Sequence, residues 1–337
     1  MLPLGKLDHA FLGRLLSRYT QADDRVLVGA TIGEDATVID FGSSCLVAKT
    51  DPITFATDEI GWYAVQVNAN DIAVTGGVPR WFLATVLLPE AITDEALVED
   101  LFRQLSAACA SLGVSLCGGH TEVTHGLDRP IVVGQMLGEV DRDRLVVTSG
   151  GQPGDDLLLS KGIAVEATAI IAREKATELS GTFSVRFLTR CRAMLHDPGI
   201  SIVREVRLAL EAAPYEAIHA MHDPTEGGLA TGLWEMATAS GTGLWVDRDA
   251  VPVLPETEAL CARFGLDPLG VIASGSLLLA VDPRFTPLVL DAWGAAGIAG
   301  ARIGRLTPQM EGMTMTAAGQ GTSLPRFRRD EIARLFE

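Results

Sequence analysis

Five short stretches set acids beside glycines at the ends of apolar runs: GEDAT (33–37), KTDP (49–52), NANDIAVTGG (68–77), GGHTEVT (118–124) and HDPTEGGLA (222–230). The carboxylates that stand out are Asp35, Asp51, Asp71 and Asp223. Such an oxygen-only set suits Mg²⁺, which binds through a few carboxylates together with substrate phosphates. Asn68 and Asp71, three residues apart amid Ala and Val, share one face of a helix that should be largely buried. A buried acid is costly unless it is paired or holds a metal. His120 and Glu122 follow an apolar run and two glycines, which places them on a ligand-facing loop. No GxxxxGK followed by Ser or Thr occurs, so a P-loop is excluded.

The stretch around Asp223 has two readings. As a helix start, Asp223 is an N-cap, Pro224 sits at N1 and Glu226 completes a capping box. Leu229, Leu233 and Met236 then repeat at helical spacing and face the core. Gly227 and Gly228 weaken a first turn. They also let a ligand approach the backbone, and a helix N-terminus favours phosphate.

The elements that must position these residues follow from periodicity. In the first half, helices are expected at 7–19, 60–77 and 93–113. Gly76-Gly77 ends the second; Thr93 caps the third and Gly113 stops it. A hairpin turns at Gly42-Ser43-Ser44 within 38–52, and strands follow at 80–89, 114–119 and 129–140, the middle one buried. TSGGQPGDD (148–156) marks a boundary, giving domains 1–148 and 149–337. The second half repeats the mixture, with strands at 156–160, 216–221, 243–247, 276–281 and 301–305 and helices at 163–174, 183–195, 200–212 and after Asp223. This is an α/β or α+β chain of two domains.

The totals set limits. The 337 residues are 47% hydrophobic and 21% charged, as in a soluble enzyme. A net charge of −16 repels nucleic acid and anionic membranes, so neither is a partner. It repels free nucleotides too, so a phosphate ligand would need Mg²⁺ or local donors. Cys45, Cys109, Cys117, Cys191 and Cys261 form no CxxC pair, which argues against a disulfide framework or a zinc site. Cys45 and Cys117 read as core thiols. No signal-peptide layout and no membrane-length apolar run is present, so a cytoplasmic location is expected.

GEDATVID, LVAKTDP, NANDIAVTGGVPRW, GGHTE and HDPTEGGLATGLWE occur in this order. Together they resemble the ATP-using superfamily of aminoimidazole ribonucleotide (AIR) synthetase, thiamine-monophosphate kinase, selenophosphate synthetase and the hydrogenase maturation protein HypE. The match runs from about residue 5 to residue 305, and the last stretch looks most like the HypE branch. The resemblance implies a ferredoxin-like N-terminal domain that dimerises through its strands and a C-terminal α/β domain beside it. ATP would lie in the cleft between them, near the dimer interface. By position, Asp35, Asp51, Asp71 and Asp223 would hold Mg²⁺ on the triphosphate. Asn68, Asn70, Thr121, Gly227 and Gly228 would line the nucleotide and its phosphates. His120 would orient the acceptor or the γ-phosphate, and Lys6, if not a plain surface lysine, would touch phosphate from a lid.

The departures are specific. Glu34 stands where relatives have Asp, and its longer side chain could still coordinate. His120 replaces the Asp of the kinase and HypE members and is closer to selenophosphate synthetase. That branch has a reactive Cys or selenocysteine near its N-terminus, whereas no cysteine precedes Cys45. HypE proper ends in a cysteine that is carbamoylated and dehydrated, whereas this sequence ends RRDEIARLFE. The expected activity is ATP- and Mg²⁺-dependent phosphoryl transfer to an oxygen of a small substrate: an amide, carboxylate or phosphate. One alternative is a non-catalytic nucleotide-binding scaffold with a maturation partner protein. Another is a selenophosphate-synthetase-like enzyme.

Overall fold

Two sheets, one in each half of the chain, carry the acids. The structure is a computed structural model that describes Leu7, residues 9–53, residue 56 and residues 58–336. Lys6 lies outside the described residues.

After helix α1 (His9–Tyr19), the first sheet has six strands. They are β1 (Val26–Val28), β2 (Thr37–Asp40), β3 (Ser44–Ile53), β4 (Val78–Pro89), β5 (Ser115–Thr124) and β6 (Ile131–Asp141), in the order β1-β2-β3-β6-β4-β5. The β2–β3 hairpin turns at Gly42 as expected, and β5 runs parallel to β4 at the open edge. Helices α2 (Ile60–Ala73) and α3 (Glu95–Leu112) pack together, and α2 lies against β3 and β6. α2 is apolar nearly all round because the second half covers its far side. Tyr63, Val67 and Ile72 share one core with Val165, Ile170 and Leu195.

The second sheet has seven strands: β7 (Asp156–Ser160), β8 (Ile218–His222), β9 (Gly243–Asp247), β10 (Leu278–Val281), β11 (Gly300–Thr307), β12 (Met313–Ala317) and β13 (Gln320–Ser323). Their order is β13-β12-β9-β11-β7-β10-β8. Alternation along β7 sends Leu157 and Leu159 to one core and Leu158 to another, so the sheet is covered on both faces. Helix α8 (Gly228–Ala239) covers the first face through Leu229, Leu233 and Met236. Helices α7 (Val203–Ala212) and α10 (Thr286–Ala295) cover the second. Helices α4 (Val165–Glu174), α5 (Ala176–Leu179), α6 (Val185–Ala193) and α9 (Pro255–Phe264) complete the described α-helices, with α4, α6 and α9 packed on one another.

Several local expectations are corrected. α8 begins at Gly228 with Gly227 as its cap, so Asp223 is not an N-cap and Glu226 is not in a capping box. The two glycines adopt positive φ and delay the helix. Asp94, not Thr93, caps α3: its carboxylate accepts from the Leu97 N–H at 2.8 Å. The strand expected to be buried at 114–119 is the exposed edge strand β5, which continues to Thr124. GGHTEVT is therefore strand rather than loop, and Cys117 is exposed rather than a core thiol. No described helix is long and apolar enough to cross a membrane.

Candidate functional site

β3 and α2 bring the first two acids together. Lys49 and Asp51 alternate on one face of β3. Asp71, near the end of α2, reaches the same point: Lys49 Nζ stands 3.2 Å from its Oδ1 and 3.5 Å from Asp51 Oδ2. Asn68 fixes the strand to the helix. Its Oδ1 accepts from the Asp51 N–H at 2.9 Å, and its Nδ2 donates to Asp51 O and Ala64 O. Gly134, opposite Asp51 on β6, makes room for this clamp, since a Cβ there would lie 2.4 Å from Asn68 Nδ2. Asn70 makes a second clamp on the other half of the chain, donating to Ile200 O and accepting from the Ile202 N–H, both at 2.9 Å.

The end of β8 supplies the rest. His222 Nδ1 lies 2.7 Å from Asp35 Oδ2, and its Nε2 lies 3.1 Å from Glu235 Oε2 on α8. Both nitrogens face carboxylate oxygens, an arrangement in which the ring donates from both sides as an imidazolium. Burial opposes that charge, but Asp35 and Glu235 outweigh it and hold the His222 pKa well above its ordinary value. Asp223 comes directly after the strand, and ligand atoms of Asp35, His222 and Asp223 lie within 4.8 Å of one another. His222 has no free lone pair, so it holds Asp35 in place.

Both Asp223 oxygens are buried without a hydrogen-bond partner, and so is Asp71 Oδ2. Buried polar atoms are rarely left unpaired, so these three oxygens ask for a cation. Burial, with the charge of Asp35, pushes the Asp223 pKa well above its usual value. Burial raises Asp71 as well, against the pull of Lys49. Burial alone would lower the Lys49 pKa, but Asp71, Asp51, Asp35 and Asp223 together raise it. The donor set is oxygen-rich and hard, and it fits a divalent cation such as Mg²⁺.

The other expected residues fall elsewhere. Glu34 accepts from the Thr148 and Ser149 N–H groups, each at 3.1 Å, so its carboxylate ties the linker between the halves. Gly227 N–H donates to Asp330 Oδ2 at 2.6 Å, and Gly228 N–H to Thr225 O at 3.0 Å. A protein carboxylate thus occupies this helix start. A Cβ on Gly228 would lie 2.4 Å from Leu269 O, so close backbone packing requires glycine there. His120 and Thr121 lie on β5, where His120 Nε2 is 3.0 Å from Glu122 Oε2. The register Asp51–Gly134–Ala84–Gly119 sets this strand three strand spacings from Asp51, roughly 14 Å. His120 and Thr121 therefore stand apart from the acids.

Lys49, His222 and Glu235 belong to the cluster and were not singled out from the sequence. Lys49 carried a signal: a cation two residues before Asp51 shares its strand face. Glu235 carried none, because only the tertiary fold brings α8 to His222.

Two family models match the chain: the AIR synthase related protein N-terminal domain over residues 33–140 and its C-terminal domain over residues 152–314. A selenide, water dikinase of Nitratidesulfovibrio vulgaris is 30% identical over 331 residues, covering 94% of this chain and 88% of that protein. Carbamoyl dehydratase HypE of Cupriavidus necator is 31% identical over 232 residues, 67% of this chain and 61% of that protein. Among solved structures, the hydrogenase maturation protein HypE in complex with ATP superposes with a TM-score of 0.72 at 25% identity, covering 94% of this chain and 91% of that one.

Proposed function

The chain belongs to the AIR synthase related family, and from that premise we propose that it transfers the γ-phosphoryl group of ATP to an oxygen of a small substrate. The observation that carries this reading is the unpartnered Asp223 carboxylate, buried beside Asp35 in a cluster that also includes Asp71. Asp35, Asp51, Asp71 and Asp223 would hold Mg²⁺. When bound, the ion would neutralise phosphate charge and so lower the barrier to transfer. The kinship with a HypE crystallised with ATP supports the choice of nucleotide.

The chain's own residues then have separate tasks. Lys49, between Asp51 and Asp71, offsets part of their charge and offers a cation to a phosphate oxygen. His222 fixes Asp35, and Asn68 fixes Asp51, so the acids are positioned before any ligand arrives. His120 and Thr121 would serve the acceptor or the γ-phosphate in a homodimer, in which the exposed edge β5 brings them to the nucleotide. The halves 1–148 and 149–337 act as two domains around the cleft, with a maturation protein as a further partner.

The test is isothermal titration of ATP with and without Mg²⁺, together with ATP turnover, on the wild type and Asp71→Ala. Magnesium-dependent binding that Asp71→Ala abolishes is the expected result. Wild-type turnover in Asp71→Ala would remove the acids from the mechanism. Nucleotide binding without turnover on any amide, carboxylate or phosphate would favour the scaffold alternative.

A further inference from the structure

α2 has a second polar face. Residues 62 and 71 are nine apart, which turns them roughly 180° from one another around the helix. On the Trp62 side, away from Asp71, lies a cavity of about 650 Å³ bounded by α2, the end of α3 and the segment before α7. Its volume suits a small molecule. Two buried atoms of the residues lining it lack partners, Trp62 Nε1 and Gln66 Oε1. The Gln66 amide has a determined orientation. Ser111 Oγ gives its hydrogen to Ala108 O at 2.7 Å, so it can only accept from Gln66 Nε2, at 3.3 Å. Oε1 is therefore the oxygen left over, an acceptor one helical turn from a donor.

The rest of the wall narrows the chemistry. The His196 ring packs edge-on against Trp62 at 4.6 Å, which gives the cavity an aromatic side. Exposed Arg204 and Arg207 also line it, although the chain as a whole carries a charge of −16. The buried Lys161–Glu205 pair, at 2.8 Å, is internally balanced, and Lys161 also donates to Gly199 O and Ser201 O. What remains unmatched is one N–H donor and one carbonyl acceptor beside an aromatic surface. Of the two guanidinium groups, Arg204 Nη2 donates to Ala296 O at 3.1 Å and Arg207 Nε lies 3.8 Å from Glu211 Oε1, which leaves their other N–H groups for a ligand, with Asp197 the exposed carboxylate in the same wall. A nucleobase edge carries an acceptor beside a donor, and a phosphate pairs with arginine.

We propose that this cavity is a second ligand site, distinct from the acid cluster, that takes a nucleoside monophosphate. Trp62 Nε1–H and Gln66 Oε1 would read the base edge, and Arg204 and Arg207 would hold the phosphate.

The test titrates AMP, GMP, UMP and CMP separately into the full chain in EDTA, where the acid cluster has no divalent cation to recruit a phosphate. At least one nucleotide should bind saturably. Trp62→Phe and Gln66→Leu should each weaken it about fivefold to tenfold, the loss of one hydrogen bond, and Asp71→Asn should leave it unchanged. The ligand-free Tm of Trp62→Phe should not fall, because Nε1 makes no hydrogen bond in the fold, whereas Gln66→Leu also gives up the Nε2 bond to Ser111 Oγ. Binding that survives both pocket variants and is lost in Asp71→Asn would overturn the proposal. So would failure of all four nucleotides to bind at millimolar concentration, or a drop of several degrees in the ligand-free Tm of Trp62→Phe.

Discussion

Replacing Asp223 with asparagine should make the metal-free protein more stable and deaf to magnesium nucleotide. Asp35, His222 and Asp223 present ligand atoms within 4.8 Å of one another. At that separation and an effective dielectric of about 20, one charge pair is worth about 3.5 kcal/mol. Repulsion from Asp35 and attraction to the His222 imidazolium therefore nearly cancel at Asp223. What remains is the cost of burying a carboxylate whose two oxygens have no donors, which exceeds the roughly 1–3 kcal/mol of a neutral unpaired group. Asparagine keeps the shape and loses the charge, but its amide is also unpaired, so a gain of about 1–2 kcal/mol is expected. Unfolding entropy scales with the 337 residues, which makes that gain about 1.5–3 °C in Tm. The sign depends on pH. The folded-state pKa of Asp223 is raised, so the wild type loses stability as pH rises through it, and its gap to Asp223→Asn widens. Differential scanning calorimetry in EDTA at pH 8, repeated with Mg²⁺ and ATP, reads both effects. A lower Tm for Asp223→Asn in EDTA would mean that the carboxylate holds the fold together. A ligand-induced rise as large as that of the wild type would mean that it holds no cation.

Two further outcomes separate structure from function. Glu34→Ala should lower Tm by about 1.5–3 °C by stripping the acceptor from two linker N–H groups, with magnesium-nucleotide affinity within about threefold of wild type; a tenfold loss of affinity at unchanged Tm would make Glu34 a ligand instead. Glu166, buried on α4, has its pKa pushed up to about 7 by burial against the bond from the Ser274 N–H. Its stabilising share is complete below its unfolded value and is lost as pH rises through about 7, roughly 3 kcal/mol in all. Chemical denaturation of Glu166→Gln at pH 4.5 and pH 8 should lack that loss, and equal pH dependence in the two proteins would refute the assignment.

What could be read in the sequence was what local chemistry decides. The hairpin at Gly42 and the helices over Asn68–Asp71 and Leu229–Met236 follow from turn residues and period, and the structure has them. Asp223 was misplaced as a cap because a capping pattern is local, whereas the positive φ of Gly227 and Gly228 shifts the helix start by several residues. β5 was misread because an apolar run ending in glycines does not show whether another strand will cover it. The partners of each acid could not be read at all. Asp35 and His222 are 187 residues apart, and only the packing of β8 beside the linker joins them.

The cluster also explains why these acids need a fold of two halves. At a surface, water satisfies a carboxylate and salt screens its hold on a cation. In the folded chain Asp71 and Asp223 are both buried away from water. Five carboxylates, Asp35, Asp51, Asp71, Asp223 and Glu235, then meet only two cations among the described residues, Lys49 and His222. The imbalance is not spread evenly. Lys49 touches Asp51 and Asp71, and His222 touches Asp35 and Glu235, whereas Asp223 has no such contact. The two cations therefore hold the frame of the site and leave one carboxylate uncommitted. That uncommitted group is what distinguishes a binding site from a buried salt-bridge network, in which every charge has found its partner.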